Sequence, residues 1–328
     1  MIIFDNHYRP FGKTGLVVPP ILFGTAVLGN VHRVIPEQTK FAICGEWFRQ
    51  VAPPVFIEAS HRPGDGAAIE LLNRTFHRLD IASEEVVICT ELGSSDETPD
   101  YDSLIRDWEE SRRLLGPRYS PQLVSVHDPD DFLTSAKSPD EVASRSYEVF
   151  EAFRALRDLK AAGKVAGIGI HTKDWHIAQE IDAAVHLDWV TLVGCCTVMH
   201  HSPAALKFMT TLAARDIAIV NAGVFQSGFL VGGSCLDGRV VSAVDPADRG
   251  LFAWRKAFVA LCQGHGISPA HACIQFALSA PGVVAVAINS SQPDRVVQNC
   301  ESVSTKVPPK FWDSMKEEGL LDERYPYL

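Results

Sequence analysis

Ser146-Tyr-Glu-Val-Phe-Glu-Ala-Phe-Arg-Ala-Leu-Arg-Asp-Leu-Lys-Ala-Ala-Gly163 runs directly into Lys164-Val-Ala-Gly-Ile-Gly-Ile170, and the junction between the two decides the fold class. In the first segment Val149, Phe150, Phe153, Leu156 and Leu159 recur at the steps that place apolar side chains on one face of a helix. Gly163 is positioned to end that helix, because glycine takes up the left-handed backbone of a C-terminal cap without steric cost. The run Val165–Ile170 has no polar alternation, which suits a strand covered on both faces. A helix feeding a doubly covered strand is the repeating unit of a parallel α/β sheet.

Working outward, the same unit recurs. Strands are expected at Ile21–Gly24, Val55–Glu58, Val86–Thr90, Leu123–His127, Val165–Ile170, Trp189–Val193, Ile217–Asn221 and Val284–Ile288. Eight such strands with helices between them predict a (β/α)8 TIM barrel, which needs about 250 residues. The chain has 328, and the surplus includes a Gly- and Asp-rich surface loop at Val231–Arg249. Neither a repeat nor a linker interrupts the pattern, so one barrel domain is expected over residues 1–328.

Composition narrows the function classes. A hydrophobic share of 46% and a charged share of 21% supply a sizeable core and exclude disorder or a coiled coil. With 30 Lys and Arg against 40 Asp and Glu, and no basic run interleaved with aromatics, nucleic acid is not an expected partner. No apolar stretch reaches the roughly 18–20 residues that cross a bilayer. The start, Met1-Ile-Ile-Phe-Asp-Asn-His-Tyr-Arg-Pro10, lacks a basic region followed by an apolar core, so a cytoplasmic protein without a membrane partner is expected. The cysteines (44, 89, 195, 196, 235, 262, 273 and 300) form no CxxC pair and sit mostly in apolar segments, as reduced core thiols do. The oligomeric state is not legible.

In an eightfold barrel the chemistry belongs to the C-terminal ends of the strands and the loops that follow. Here those ends are polar: Glu58 and His61 after strand two, Glu91 after three, His127 and Asp128 after four, His171 after five, Cys195 and Cys196 after six, Asn221 after seven and Asn289 after eight. Carboxylates and imidazoles are expected to converge on one mouth.

Sequence motifs carry a resemblance as well. Tyr8-Arg-Pro-Phe-Gly-Lys-Thr-Gly15, Phe23-Gly24-Thr25-Ala26, Val126-His-Asp-Pro-Asp130, Leu156-Arg-Asp-Leu-Lys-Ala-Ala-Gly-Lys164 before Gly167-Ile-Gly169, Phe225-Gln-Ser-Gly-Phe-Leu230, Ile267-Ser-Pro-Ala270 with Gln275-Phe-Ala277, and Gln298-Asn299 follow one another along nearly the whole chain. Together they resemble the aldo-keto reductases, nearest the branch of aldose, fucose, galactose and pyridoxal dehydrogenases. The resemblance implies a barrel opened by a short N-terminal β-hairpin, NAD or NADP as cofactor, and a small-molecule carbonyl or alcohol as substrate. It also implies an Asp, Tyr, Lys and His tetrad, which this chain changes. Glu58 stands at the Asp position, Pro63 at the Tyr and Glu91 at the Lys, and only His127 is kept. The same resemblance assigns cofactor contacts to Gly24, Thr25, Phe225, Ser227, Gly228, Leu230, Ser291, Arg295, Gln298 and Asn299. Ser291 occupies the place where many relatives carry an arginine for the 2′-phosphate of NADP, leaving Arg295 as its substitute. His171 falls where relatives grip the nicotinamide carboxamide.

Without the tyrosine, Glu58, Glu91, His127 and His171 are the candidate acid/base set, two nearby carboxylates being the arrangement that pushes one proton affinity upward. The same four are a candidate divalent-metal set, imidazole and carboxylate being the usual ligands. Either points to a sugar- or polyol-derived carbonyl compound, transformed by isomerisation, epimerisation or elimination. The alternatives are an NAD(P)-dependent sugar dehydrogenase with an atypical site, His61 or His127 serving as its acid, and a non-catalytic binding relative. His200-His201 reads as a surface pair ahead of Ser202, a helix cap.

Overall fold

The computed structural model describes residues 2–3, 5–31, 34–60, 66–93 and 98–328. Its central element is a closed barrel of eight parallel strands in sequence order: β1 (Ile21–Phe23), β2 (Val55–Glu58), β3 (Val86–Leu92), β4 (Leu123–His127), β5 (Gly167–Thr172), β6 (Trp189–Val193), β7 (Ala218–Ala222) and β8 (Val283–Ile288), with β8 pairing back onto β1. The helices are α1 (Glu37–Gln50), α2 (Ala67–Leu79), α3 (Tyr101–Leu115), α4 (Pro129–Thr134), α5 (Pro139–Ala161), α6 (Trp175–Val185), α7 (Pro203–Ala213), α8 (Arg249–Gly264), α9 (Pro269–Ser279), α10 (Pro293–Ser304) and α11 (Pro309–Glu317). Among the described residues no helix is long and apolar enough to cross a membrane.

The eight strands expected from the sequence are all present. Helix α5 starts well before Ser146, because Ser138 accepts a hydrogen bond from the Glu141 amide and Pro139 fills the first helical position. At its other end Gly163 has φ +67° and the Lys164 amide reaches back to the Leu159 carbonyl, the expected glycine stop.

Side chains along a strand alternate between two faces, and this alternation sorts the barrel. Val55 and Ile57, Val86 and Ile88, Val124 and Val126, and Ile168 and Ile170 point outward to the helices. The intervening residues point inward. Leu22, Phe56, Val87, Cys89, Leu123, Trp189, Ala218, Val220 and Ala285 form one apolar cluster inside the barrel, closed from below by Phe11 of the N-terminal hairpin (Arg9–Pro10 paired with Val17–Val18). The Phe11 ring lies 5.5 Å from Phe56 and 5.7 Å from Trp189, centroid to centroid. Gly169 is required beside this plug, since a Cβ there would lie 2.6 Å from the Trp189 indole.

The loop over Val231–Arg249 is more ordered than its composition suggests. It contains a two-strand ribbon, Cys235–Leu236 against Arg239–Val240, and a short 3-10 turn, Pro246–Asp248. Asp248 is buried and anchors it by accepting from the Arg239 guanidinium and the Ser242 amide.

Candidate active site

The inward columns of the barrel finish at its C-terminal mouth. Continuing the alternation upward from Phe56, Cys89, Ser125 and Gly169 brings Glu58, Glu91, His127 and His171 to the tops of β2, β3, β4 and β5. The structure therefore assembles all four expected residues on one side of the mouth. Glu91 and His171 lie inside their strands, which run further than expected, to Leu92 and Thr172. His127 and His171 are register partners on adjacent strands, their rings parallel within 23° and 5.0 Å apart.

Glu91 lies between the two imidazoles. One carboxylate oxygen is 3.3 Å from His171 Nε2 and the other 3.4 Å from His127 Nε2. The far nitrogen of His171, Nδ1, is held by Asp128 at 2.7 Å, and the second oxygen of Asp128 takes the Lys173 ammonium at 2.5 Å. Asp128 is positioned by a left-handed backbone (φ +37°) and by its amide, which donates to the His171 carbonyl. Such a conformation in a non-glycine residue is strained and is held by its surroundings.

These contacts set the charges. Burial and then the neighbouring Glu91 charge push Glu58 well above the usual carboxylate range, so it holds a proton at neutral pH. Burial of the His171 imidazole opposes its charging, but Glu91 and the hydrogen bond to Asp128 outweigh this and raise it to about 9. Asp128 is likewise disfavoured as an anion by burial, yet the His171 hydrogen bond and the charges of His171, His127 and Lys173 hold it well below its ordinary value.

The other half of the mouth is different in kind. Gly24, Val193, Ala222 and Asn289 end the inward columns of β1, β6, β7 and β8. A Cβ on Gly24 would lie 2.6 Å from the Asn289 amide, so the glycine makes room for that side chain. Asn221 does not join the mouth. The parity of Ala218 and Val220 turns it outward, where its Nδ2 donates to the carbonyls of Cys196 and, on α9, Ala277. Over the ends of β5 to β7 a cleft of about 790 Å³ opens, lined by Lys173, Trp175, Val193, Cys195 and Gln226, with Asp237 of the 231–249 loop on its rim.

The expected cofactor residues divide. Arg295, Gln298 and Asn299 share a second cleft of about 710 Å³ with Val231. Asn299 is buried and donates to Ser290, so it positions that loop. Ser291 is half-buried beside it. Ser227 is exposed at the apex of its loop, Phe225 is half-buried, and Gly228 (φ +89°) has open space where a side chain would stand. Leu230 corrects the expectation. It is fully buried in the core and anchors the loop, offering no side chain to a ligand. The loop amides of Gln226, Gly228, Phe229 and Leu230 are spent on its own turns. Thr25 and Gln226 are buried with side-chain oxygens that have no protein partner, an unmet demand that a polar ligand fits. NAD(P) therefore fits the residues present.

Sequence reasoning missed Gln226, Lys173 and the bridging role of Asp128. The positive φ of Gln226 (+45°) gives no sequence signal outside a Gly or Asn. His61, Arg62 and Pro63 lie outside the described residues. Burial pushes the thiols of Cys195 and Cys196 up to about 12, which leaves them inert. Among the described residues no cysteine is in a disulfide. Of the expected surface pair His200 is exposed, while His201 is half-buried, packing on Phe276 and Tyr325 and bonding the Thr197 carbonyl; Ser202 caps α7 as expected.

Residues 20–318 match the aldo/keto reductase family. The chain belongs to that family. It is 26% identical to D-threo-aldose 1-dehydrogenase of a Pseudomonas species, over 94% of this chain and 96% of the relative. It is 23% identical to pyridoxal 4-dehydrogenase of Microbacterium luteolum (96% and 98% covered) and 23% identical to L-galactose dehydrogenase of Arabidopsis thaliana (90% and 88%). Among solved structures it superposes on an aldo-keto reductase from Bacillus halodurans in its holo form with a TM-score of 0.72, at 15% identity and 96% coverage of both chains.

Proposed function

We propose that this protein is an NAD(P)-dependent oxidoreductase interconverting a hydroxyl and a carbonyl on a small sugar- or polyol-derived molecule, with Glu58, Glu91, His127 and His171 as its proton-handling group. The observation that carries the reading is the pairing of this cluster with a dinucleotide-compatible half-mouth across the same barrel opening. Bound NAD(P)+ would supply the hydride acceptor. Gln226, Thr25 and Ser227 would hold its nicotinamide and phosphate portion, and Arg295 and Gln298 its adenosine end.

The chain's own part is to move a proton without a tyrosine. Glu91 is the carboxylate at the centre, flanked by two imidazoles, and it can accept a hydroxyl proton through His127, whose ring is the more exposed of the two. His171, clamped by Asp128, balances the charge that Glu91 carries. The dehydrogenase names of the relatives support this chemistry and the substrate class.

The test is nicotinamide absorbance on mixing the protein with NAD+ or NADP+ and a panel of aldoses and pyridoxal. Stoichiometric reduced nicotinamide is expected with at least one pair. A redox-neutral isomerase or epimerase is the second reading, favoured by one observation: two carboxyl groups, Glu58 and Glu91, top the inner columns of neighbouring strands, as an acid/base pair does. Substrate conversion without net change in nicotinamide would replace the first reading by the second. Binding without conversion of any substrate would make the protein a ligand-binding relative.

A further inference from the structure

We propose that Glu91, His127 and His171 form a binding site for a divalent transition-metal ion of the zinc class. One donor atom from each lies within 4.8 Å of the other two. The spacing of Glu91 from its neighbours is informative. At 3.3 and 3.4 Å the contacts to the two Nε2 atoms exceed the roughly 2.7–2.9 Å of a charge-assisted hydrogen bond. The two distances run to different Glu91 oxygens, so the carboxylate turns one oxygen toward each imidazole, and either can serve as the zinc donor. Two imidazoles and one carboxylate are also the protein ligands of an open catalytic zinc site, in which a fourth position takes water or substrate.

Three further observations agree. The His171 ring is fixed through Nδ1 by Asp128 at 2.7 Å, the carboxylate–histidine arrangement that orients a metal ligand and leaves Nε2 for the ion. Ser125, the register partner of Glu91 on the inner face, is fully buried and its hydroxyl has no protein partner. Among the described residues Lys173 pairs with Asp128, and the ion-pair contacts of Glu91 are to the two imidazoles alone. A divalent ion bound there would take the place of the imidazole protons as the partner of Glu91. Glu58 lies outside the three-donor group, so the set expected from the sequence shrinks by one.

The site stands on these contacts, while its role rests on the oxidoreductase reading: there the ion would polarise the substrate oxygen where this chain lacks the tyrosine. The test is elemental analysis of full-length protein purified without chelator, followed by titration of the chelator-stripped protein with Co2+ alone. About one equivalent of bound metal and a visible Co2+ absorption band are expected, as for a three-ligand site. Glu91→Gln and His171→Ala should abolish the band. Asp128→Asn should weaken Co2+ binding about 10- to 100-fold while leaving the band's shape. Unfolding transitions of each variant separate lost ligands from lost fold, and the wild-type titration stands whether or not a variant folds. Absence of metal together with absence of a Co2+ band in folded wild-type protein overturns the proposal. Nicotinamide turnover that survives complete chelation would show the oxidoreductase reading correct and the ion's role wrong.

Discussion

The two ends of the barrel interior are built from the same inward-pointing columns, yet they share no chemistry. At the bottom Phe11, Phe56 and Trp189 pack ring against ring and exclude water. At the top the same strands end in Glu58, Glu91, His127 and His171, ionisable groups that cost stability to bury whenever they carry charge. The contrast separates what holds the barrel from what it is for: apolar area at one end offsets the burial of charge at the other.

Trp189→Ala tests the lower end. It is expected to cost about 3–5 kcal/mol in urea unfolding, because the surrounding barrel cannot collapse into the void. Dinucleotide affinity of the protein that remains folded should be unchanged, and a change in it would show the ends to be coupled. At the upper end Glu91→Gln is expected to cut turnover by about 10²- to 10³-fold in steady-state assays, within the range for loss of a general acid–base group. Its unfolding free energy should change little or rise, the opposite of the Trp189 result.

A pH series sharpens the comparison further. His171 keeps its proton in the folded state up to about 9, whereas an unfolded histidine loses it near 6.5, so the folded protein binds more protons between those values. Stability of the metal-free protein should therefore fall as pH rises from about 6.5 to 9, by at most about 1.4 kcal/mol per pH unit. Glu58, raised in the same direction, adds a fall that begins near pH 4.3. Urea unfolding of His171→Gln should lose the slope between about pH 8 and 9, shallow it between about 6.5 and 8 where Glu58 still contributes, and keep it below 6.5. The smallest effect belongs to Cys195→Ala: with its thiol pushed up to about 12, turnover should stay within about twofold of wild type.

Much of this contrast was readable before any coordinates, and the part that was not has a geometric reason. Runs such as Val55–Glu58 and Trp189–Val193 appear as strands at the expected residues because both faces are apolar, which leaves little else for them to be. Glu91 and His171 were read as following their strands because a polar residue looks like an ending, whereas at a barrel mouth the inner face turns polar while pairing continues. Asn221 was misplaced for want of parity: counting by twos from Ala218 turns it to the helices. The Asp128–Lys173 bridge spans two loops 45 positions apart and has no local signature. The start of α5 was legible in Ser138-Pro139 but obscured by a first turn of exposed polar residues.

One contact at the lower rim bears on how the molecule comes into being. Arg9 donates to the carbonyl of Val283, 274 positions later in the chain, alongside the pairing of β1 with β8. Closure of the ring is thus among the longest-range events available to this polypeptide, and long-range pairing slows folding. Until residues near 283 emerge from the ribosome, β1 and β7 are unpaired sheet edges, the geometry on which chains associate. Products ending before β8 should consequently collect as aggregates during synthesis, since the strand that would silence both edges is the last one made.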